Sequence, residues 1–133
     1  MTFQGALKPA LGEEPSSGAS VGDELPAGTA LCGGQYTIER FLNAGGFGIT
    51  YLARDSLDRR VVIKECFPAV LCRRQGLSVQ LRADRYMQDF TYLLGLFKRE
   101  AQALARLKHP GVVEVHQIFA ANGTAYMALD FVA

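Results

Sequence analysis

An α+β fold is predicted: an antiparallel sheet of five strands with one helix packed on it, behind a flexible N-terminal leader. Three patterns predict it. Residues 35–42, 48–54 and 60–65 are short β-branched or near-alternating runs separated by turn residues. Between about Met87 and Lys108 the apolar period switches from two to three or four. Near the end, Asn122-Gly123 divides two further strand-like runs, and Asn-Gly is a strong hairpin signal.

Met1 to Gly34 is rich in Gly, Pro, Ser and Ala with no sustained apolar period, so it reads as the leader, with the folded unit over 35–133. Tyr36, Ile38 and Leu42 fall on even positions, and Arg40 breaks the series. Gly45, Gly46 and Gly48 surround Phe47; glycine opens positive φ and lets backbone N–H groups approach a ligand with no Cβ in the way. The next run, Ile49-Thr50-Tyr51-Leu52-Ala53, is a strand. A dinucleotide-binding loop opens a helix instead, and a phosphate-cradling Walker loop needs Gly-Lys-Ser/Thr, which is lacking here. A strand–loop–strand glycine cluster fits a hairpin lid over phosphates, or an ordinary turn.

Val61-Val62-Ile63-Lys64 is a buried-type strand ending on a lysine, a residue seldom buried without a partner. The lysine either meets an anion or snorkels to water. Pro68 stops the strand. Ala69 to Arg85 contains four arginines, Arg73, Arg74, Arg82 and Arg85, and reads as a solvated connection rather than a docking surface. In the helix, Phe90, Leu93, Leu94, Phe97, Ala101, Leu104 and Leu107 form one apolar stripe. Gly95 inside it costs about 1 kcal/mol relative to Ala. His109-Pro110-Gly111 ends the helix. Glu100 lies on or beside the stripe, and a buried unpaired carboxylate is costly. Lys64 is its natural partner. The last strands span 112–119 and 124–132.

Composition narrows the function. A formal charge of +1 makes no electrostatic case for nucleic acid. No apolar run reaches the roughly 20 residues of a membrane-spanning helix, and no signal peptide opens the chain. The three cysteines, Cys32, Cys66 and Cys72, are odd in number and irregularly spaced, so reduced thiols in a cytoplasmic setting are expected. With His109 and His116 they show no zinc-type spacing, and no metal site is expected.

The glycine loop resembles the protein-kinase pattern Gly-x-Gly-x-x-Gly-x-Val, and Val61 to Lys64 resembles its Val-Ala-Ile-Lys strand. Asn43, Gly45 and Gly48 stand at the three glycine positions, Thr50 at the valine and Val62 at the alanine. GGFGITYLARD and IKECFPA look especially like bacterial serine/threonine kinases, as do Phe97 to Ala101 and His109 to Val113. The resemblance covers about residues 25–133 and implies the small lobe alone, since the sequence stops where a kinase passes through its hinge, with no His-Arg-Asp loop and no Asp-Phe-Gly.

By this resemblance Leu42, Asn43, Ala44, Gly45, Gly46, Phe47, Gly48, Thr50 and Val62 would bind ATP. Lys64 would hold its phosphates and pair with Glu100. Leu129 would be the gatekeeper, and the Asp130 carbonyl and Val132 amide would meet the adenine edge. Leu104 and Val115 would join the apolar column behind the ion pair. Mg²⁺ is expected only with the missing large lobe, which would be a partner together with a protein substrate. The alternative is a free-standing, non-catalytic small lobe acting as an interaction or nucleotide-sensing module.

Overall fold

The computed structural model describes residues 22–107, 110–111 and 113–132. The greater part of the leader, and Lys108, His109 and Val112 at the predicted helix end and strand start, lie outside the described residues. The described residues form eight strands and one α-helix: β1 Ala30–Leu31, β2 Tyr36–Ala44, β3 Gly48–Asp55, β4 Arg60–Cys66, β5 Cys72–Gln75, β6 Ser78–Leu81, α1 Met87–Arg106, β7 Val115–Ala121 and β8 Thr124–Asp130. The main sheet has six strands in the order β1-β2-β3-β4-β8-β7, all antiparallel, rather than the five expected. β5 and β6 form a separate two-stranded hairpin.

The sixth strand is β1, from the stretch read as leader. Its two residues pair with Tyr36 and Thr37, and Leu25 and Leu31 are buried. Composition hides this, because a two-residue strand between glycines has no period to detect. Arg40, which breaks the alternation of β2, sits at a register shift against β3. A bulge carries it outward without turning the rest of the strand inside out.

β3 and β8 are covered on both faces and buried almost continuously, whereas in β4 the helix-side residues Val62 and Lys64 are only half-buried. On one face α1 packs against β7 and β8. Phe97 and Ala101 meet Cys66, Ala125, Met127 and Leu129 there. Gly95 marks a weak point in the helix rather than a close approach, since a Cβ there would meet only Arg99 Nη1, at 3.9 Å.

The other face carries a second cluster. Tyr36, Ile38, Tyr51, Ile63 and Tyr126 are sealed by Leu25, from the N-terminal strap of residues 22–31, and by Leu71, Cys72 and Val79 from the β5–β6 region. The arginine-rich segment is therefore folded against the sheet, not a solvated connection. Its four arginines part company. Arg74 turns inward, and Arg82 closes the base of the hairpin by donating from Nε to the Ala69 carbonyl at 2.9 Å. Arg73, Arg82 and Arg85 all stay exposed. Burial pushes the Cys66 thiol up to about 12 and the Cys72 thiol to about 11, so both are protonated at neutral pH.

The β7–β8 hairpin turns on Asn122 and Gly123, with φ of 54° and 79°. Two positive φ angles define the tight turn that Asn-Gly favours. A Cβ on Gly123 would stand 2.8 Å from the Val79 carbonyl oxygen of the other hairpin. Gly123→Ala is expected to destabilise the fold by more than about 1 kcal/mol in urea titration, from strain and clash together.

Candidate functional site

A cleft of ≈ 490 Å³ opens on the helix-bearing face. Val62 and Lys64 from β4 form one wall, Leu104 of α1 another, and Gly111, Val113, Leu129, Asp130 and Val132 complete it. β4 places Val62 and Lys64 on the same face because side chains alternate along a strand. Lys64 lies between Thr50 of β3 and Met127 of β8 in the register. The lining is apolar apart from Lys64 and Asp130.

Burial lowers the pKa of Lys64, and the nearby Glu100 carboxylate opposes that shift. The two charges therefore feel one another, one from the strand and one from the half-buried flank of α1. The end of β8 is held in two ways. Asp130 N–H donates to the Glu114 carbonyl at 3.0 Å, and the Asp130 carboxylate lies 2.6 Å from His116 Nε2.

The glycine turn joins β2 to β3. Gly45 N–H donates to the Gly48 carbonyl at 3.0 Å, closing the loop. The Phe47 carbonyl accepts from Phe67 N–H at 2.9 Å, tying the loop to the end of β4, and the Phe47 ring packs against the helix-side cluster. None of Gly45, Gly46 and Gly48 has a positive φ, so left-handed backbone is not why glycine stands there. A Cβ on Gly46 would meet nothing within 4 Å, so no contact within the chain requires glycine there either.

Of the predicted site residues, Val62, Lys64, Leu129, Asp130 and Val132 converge on the cleft. Thr50 is beside them by register. Leu42, Asn43, Gly45, Gly46, Phe47 and Gly48 belong to the β2–β3 edge and loop, outside the cleft lining. Ala44 packs into the cluster on the opposite face, so it offers the loop only its backbone. Gly111 and Val113 line the cleft although the sequence marked neither as a site residue. Their signal was the turn after the helix, which brings the chain back past Leu104. Among the described residues, no group of three His, Cys, Asp or Glu side chains could hold a metal ion. No helix among them is long and apolar enough to cross a membrane.

An antiparallel sheet with one helix, a glycine turn over its edge and an inward lysine facing a helix glutamate is the small lobe of a protein kinase. Serine/threonine-protein kinase PknJ of Mycobacterium tuberculosis is 37% identical over 110 residues, 82% of this chain and 15% of that one. Serine/threonine-protein kinase PksC of Streptomyces coelicolor is 37% identical over 90 residues, 67% of this chain and 13% of that one. PrkC of Bacillus subtilis is 32% identical over 100 residues, 74% of this chain and 13% of that one. Among solved structures, "PpkA-294 apo form" superposes with a TM-score of 0.78 at 40% identity, covering 82% of this chain and 39% of that chain. No family model matches the chain. The chain belongs to the bacterial-type serine/threonine protein kinases as a small lobe, and it spans less than a fifth of the length of PknJ, PksC and PrkC.

Proposed function

We propose that this lobe binds ATP and, joined to a large lobe, takes part in transferring its terminal phosphoryl group to protein hydroxyls. The observation that carries the reading is one cleft in which an apolar slot ends on a half-buried lysine. Val62, Leu104, Val113 and Leu129 offer walls for a planar base, and Lys64 offers a cation for phosphate. The Asp130 carbonyl and Val132 N–H would meet the adenine edge, with Leu129 controlling depth. The Gly45–Gly48 turn, with Leu42, Asn43 and Thr50 beside it, would cover the phosphates through its backbone. Glu100 would hold Lys64 toward them, keeping it charged against the pull of burial. Mg²⁺ would take its protein ligands from the large lobe, outside the described residues.

Titration calorimetry with ATP tests this. The parent chain is expected to bind, and Lys64→Ala to lose at least about tenfold in affinity, consistent with one charge-assisted contact of about 1.5–3 kcal/mol. Equal binding by parent and variant would remove Lys64 from the nucleotide site.

A further inference from the structure

The residue after Lys64 is also charged, and it points the other way. Glu65 is fully buried on the face opposite the cleft. Its carboxylate is completely enclosed by donors. Tyr51 O–H donates to Oε1 at 2.8 Å and Tyr126 O–H to Oε2 at 2.6 Å. Arg74 grips it with both arms, Nη2 to Oε1 at 2.6 Å and Nη1 to Oε2 at 2.9 Å. The Arg74 guanidinium also lies over the Phe67 ring, 4.9 Å from its centroid.

The same network holds the strap, residues 22–31. Arg74 Nε donates to the Asp23 carbonyl at 2.8 Å, and Leu25 N–H donates to the Tyr51 hydroxyl at 3.0 Å. Four separate pieces of chain thus meet at Glu65: the strap, β3, β8 and the β5–β6 hairpin. A one-residue slip of β4 would exchange the faces of all its side chains, putting Lys64 in the core and Glu65 in the cleft. Such a slip would abandon a buried carboxylate with four satisfied hydrogen bonds. Glu65 therefore anchors the register that presents Lys64.

We propose that Arg74 is a positioning residue for Lys64, and that through Glu65 it couples the nucleotide cleft to the N-terminal strap. The proposal rests on the nucleotide reading of Lys64 above. Coupling of this kind is reciprocal: whatever loosens the strap weakens ATP binding, and ATP tightens the strap by the same factor. A partner that pulls on residues upstream of Leu25 would then act on the cleft without touching it.

The test uses the 133-residue chain, with ATP titration calorimetry and amide hydrogen exchange on the parent, Arg74→Met, Tyr51→Phe and Val79→Ala. Val79 is buried in the same hairpin but carries no group of the network. Folded Arg74→Met and Tyr51→Phe are expected to bind ATP about tenfold more weakly, and to lose exchange protection in both the strap and β4. Val79→Ala, at a comparable loss of melting temperature, is expected to keep the parental affinity. Parental affinity in a folded Arg74→Met overturns the proposal. So does an equal loss in Val79→Ala, which would mark a purely structural effect. Where Arg74→Met does not fold, Tyr51→Phe is read by the same criteria. If the parent binds no ATP, the nucleotide reading fails, and exchange without nucleotide decides the coupling. Protection lost in β4 as well as the strap supports it, and loss in the strap alone overturns it.

Discussion

Glu65→Ala is expected to destabilise the lobe by about 3–5 kcal/mol, the cost of breaking a buried ion pair by removing one partner. The carboxylate has no solvent exposure, and the Arg74 side chain is only 6% exposed. Removing Glu65 strands the guanidinium and two phenols in the core at once. Burial, then the Glu65 charge, raises the pKa of both Tyr51 and Tyr126, so both phenols stay neutral donors to the carboxylate. For Arg74, burial works against its charge, but the hydrogen bonds and charge of Glu65 outweigh it, and its pKa rises. A small domain has about 5–15 kcal/mol of stability in all, so the variant is expected to be largely or wholly unfolded at 37 °C. Urea unfolding of Glu65→Ala and of the double variant Glu65→Leu/Arg74→Leu makes the check specific. The double variant is expected to recover part of the loss, because a buried ion pair stabilises little compared with apolar packing of the same volume. A single-variant cost under about 1 kcal/mol would show that the network is not closed in solution.

Phe97→Ala is the second large effect, at about 3–5 kcal/mol. The ring is 1% exposed and stands at the centre of the helix–sheet contact. Its loss leaves a cavity between α1 and β8 that the flanking Ala101 is too small to fill. Beyond stability, the helix loses the wedge that fixes its rotation, so Glu100 drifts from Lys64. ATP affinity is therefore expected to fall even in the folded fraction. Phe97→Leu keeps most of the volume and is expected to cost less than half as much. Thermal melting with paired ATP titration checks both. A folded Phe97→Ala with parental affinity would uncouple Glu100 from the site.

Much of this architecture was readable from local pattern. The strands around the glycine turn, the helix stripe and the Asn122-Gly123 hairpin depend on neighbours two to four residues apart, and each appeared near its expected place. Lys64 was readable for a related reason: a charged residue closing an apolar run is conspicuous on a strand. Glu65 was not, although it immediately follows Lys64. In an alternating strand one of two adjacent charges must face each way, and nothing local says that the second face is also closed. The four arginines of 73–85 were indistinguishable in sequence because their fates differ by the turn of a hairpin whose strands are four residues each.

From the linear pattern alone, then, come the element types, the α+β class, the kinase resemblance and an inward lysine with a helix glutamate as its natural counter-charge. The element types and the charge pairing follow from periodicity and from the cost of burying an unpaired charge, both local rules, and the kinase resemblance follows from the matched motifs around Gly45, Lys64 and Glu100. Tertiary structure alone decided that the sheet has a sixth strand and two covered faces, that Ala44 turns away from the cleft, and that Arg74 joins Glu65 across the core. Each of these depends on segments far apart in the chain, where the energy of burial is settled by what lies opposite and not by what lies adjacent.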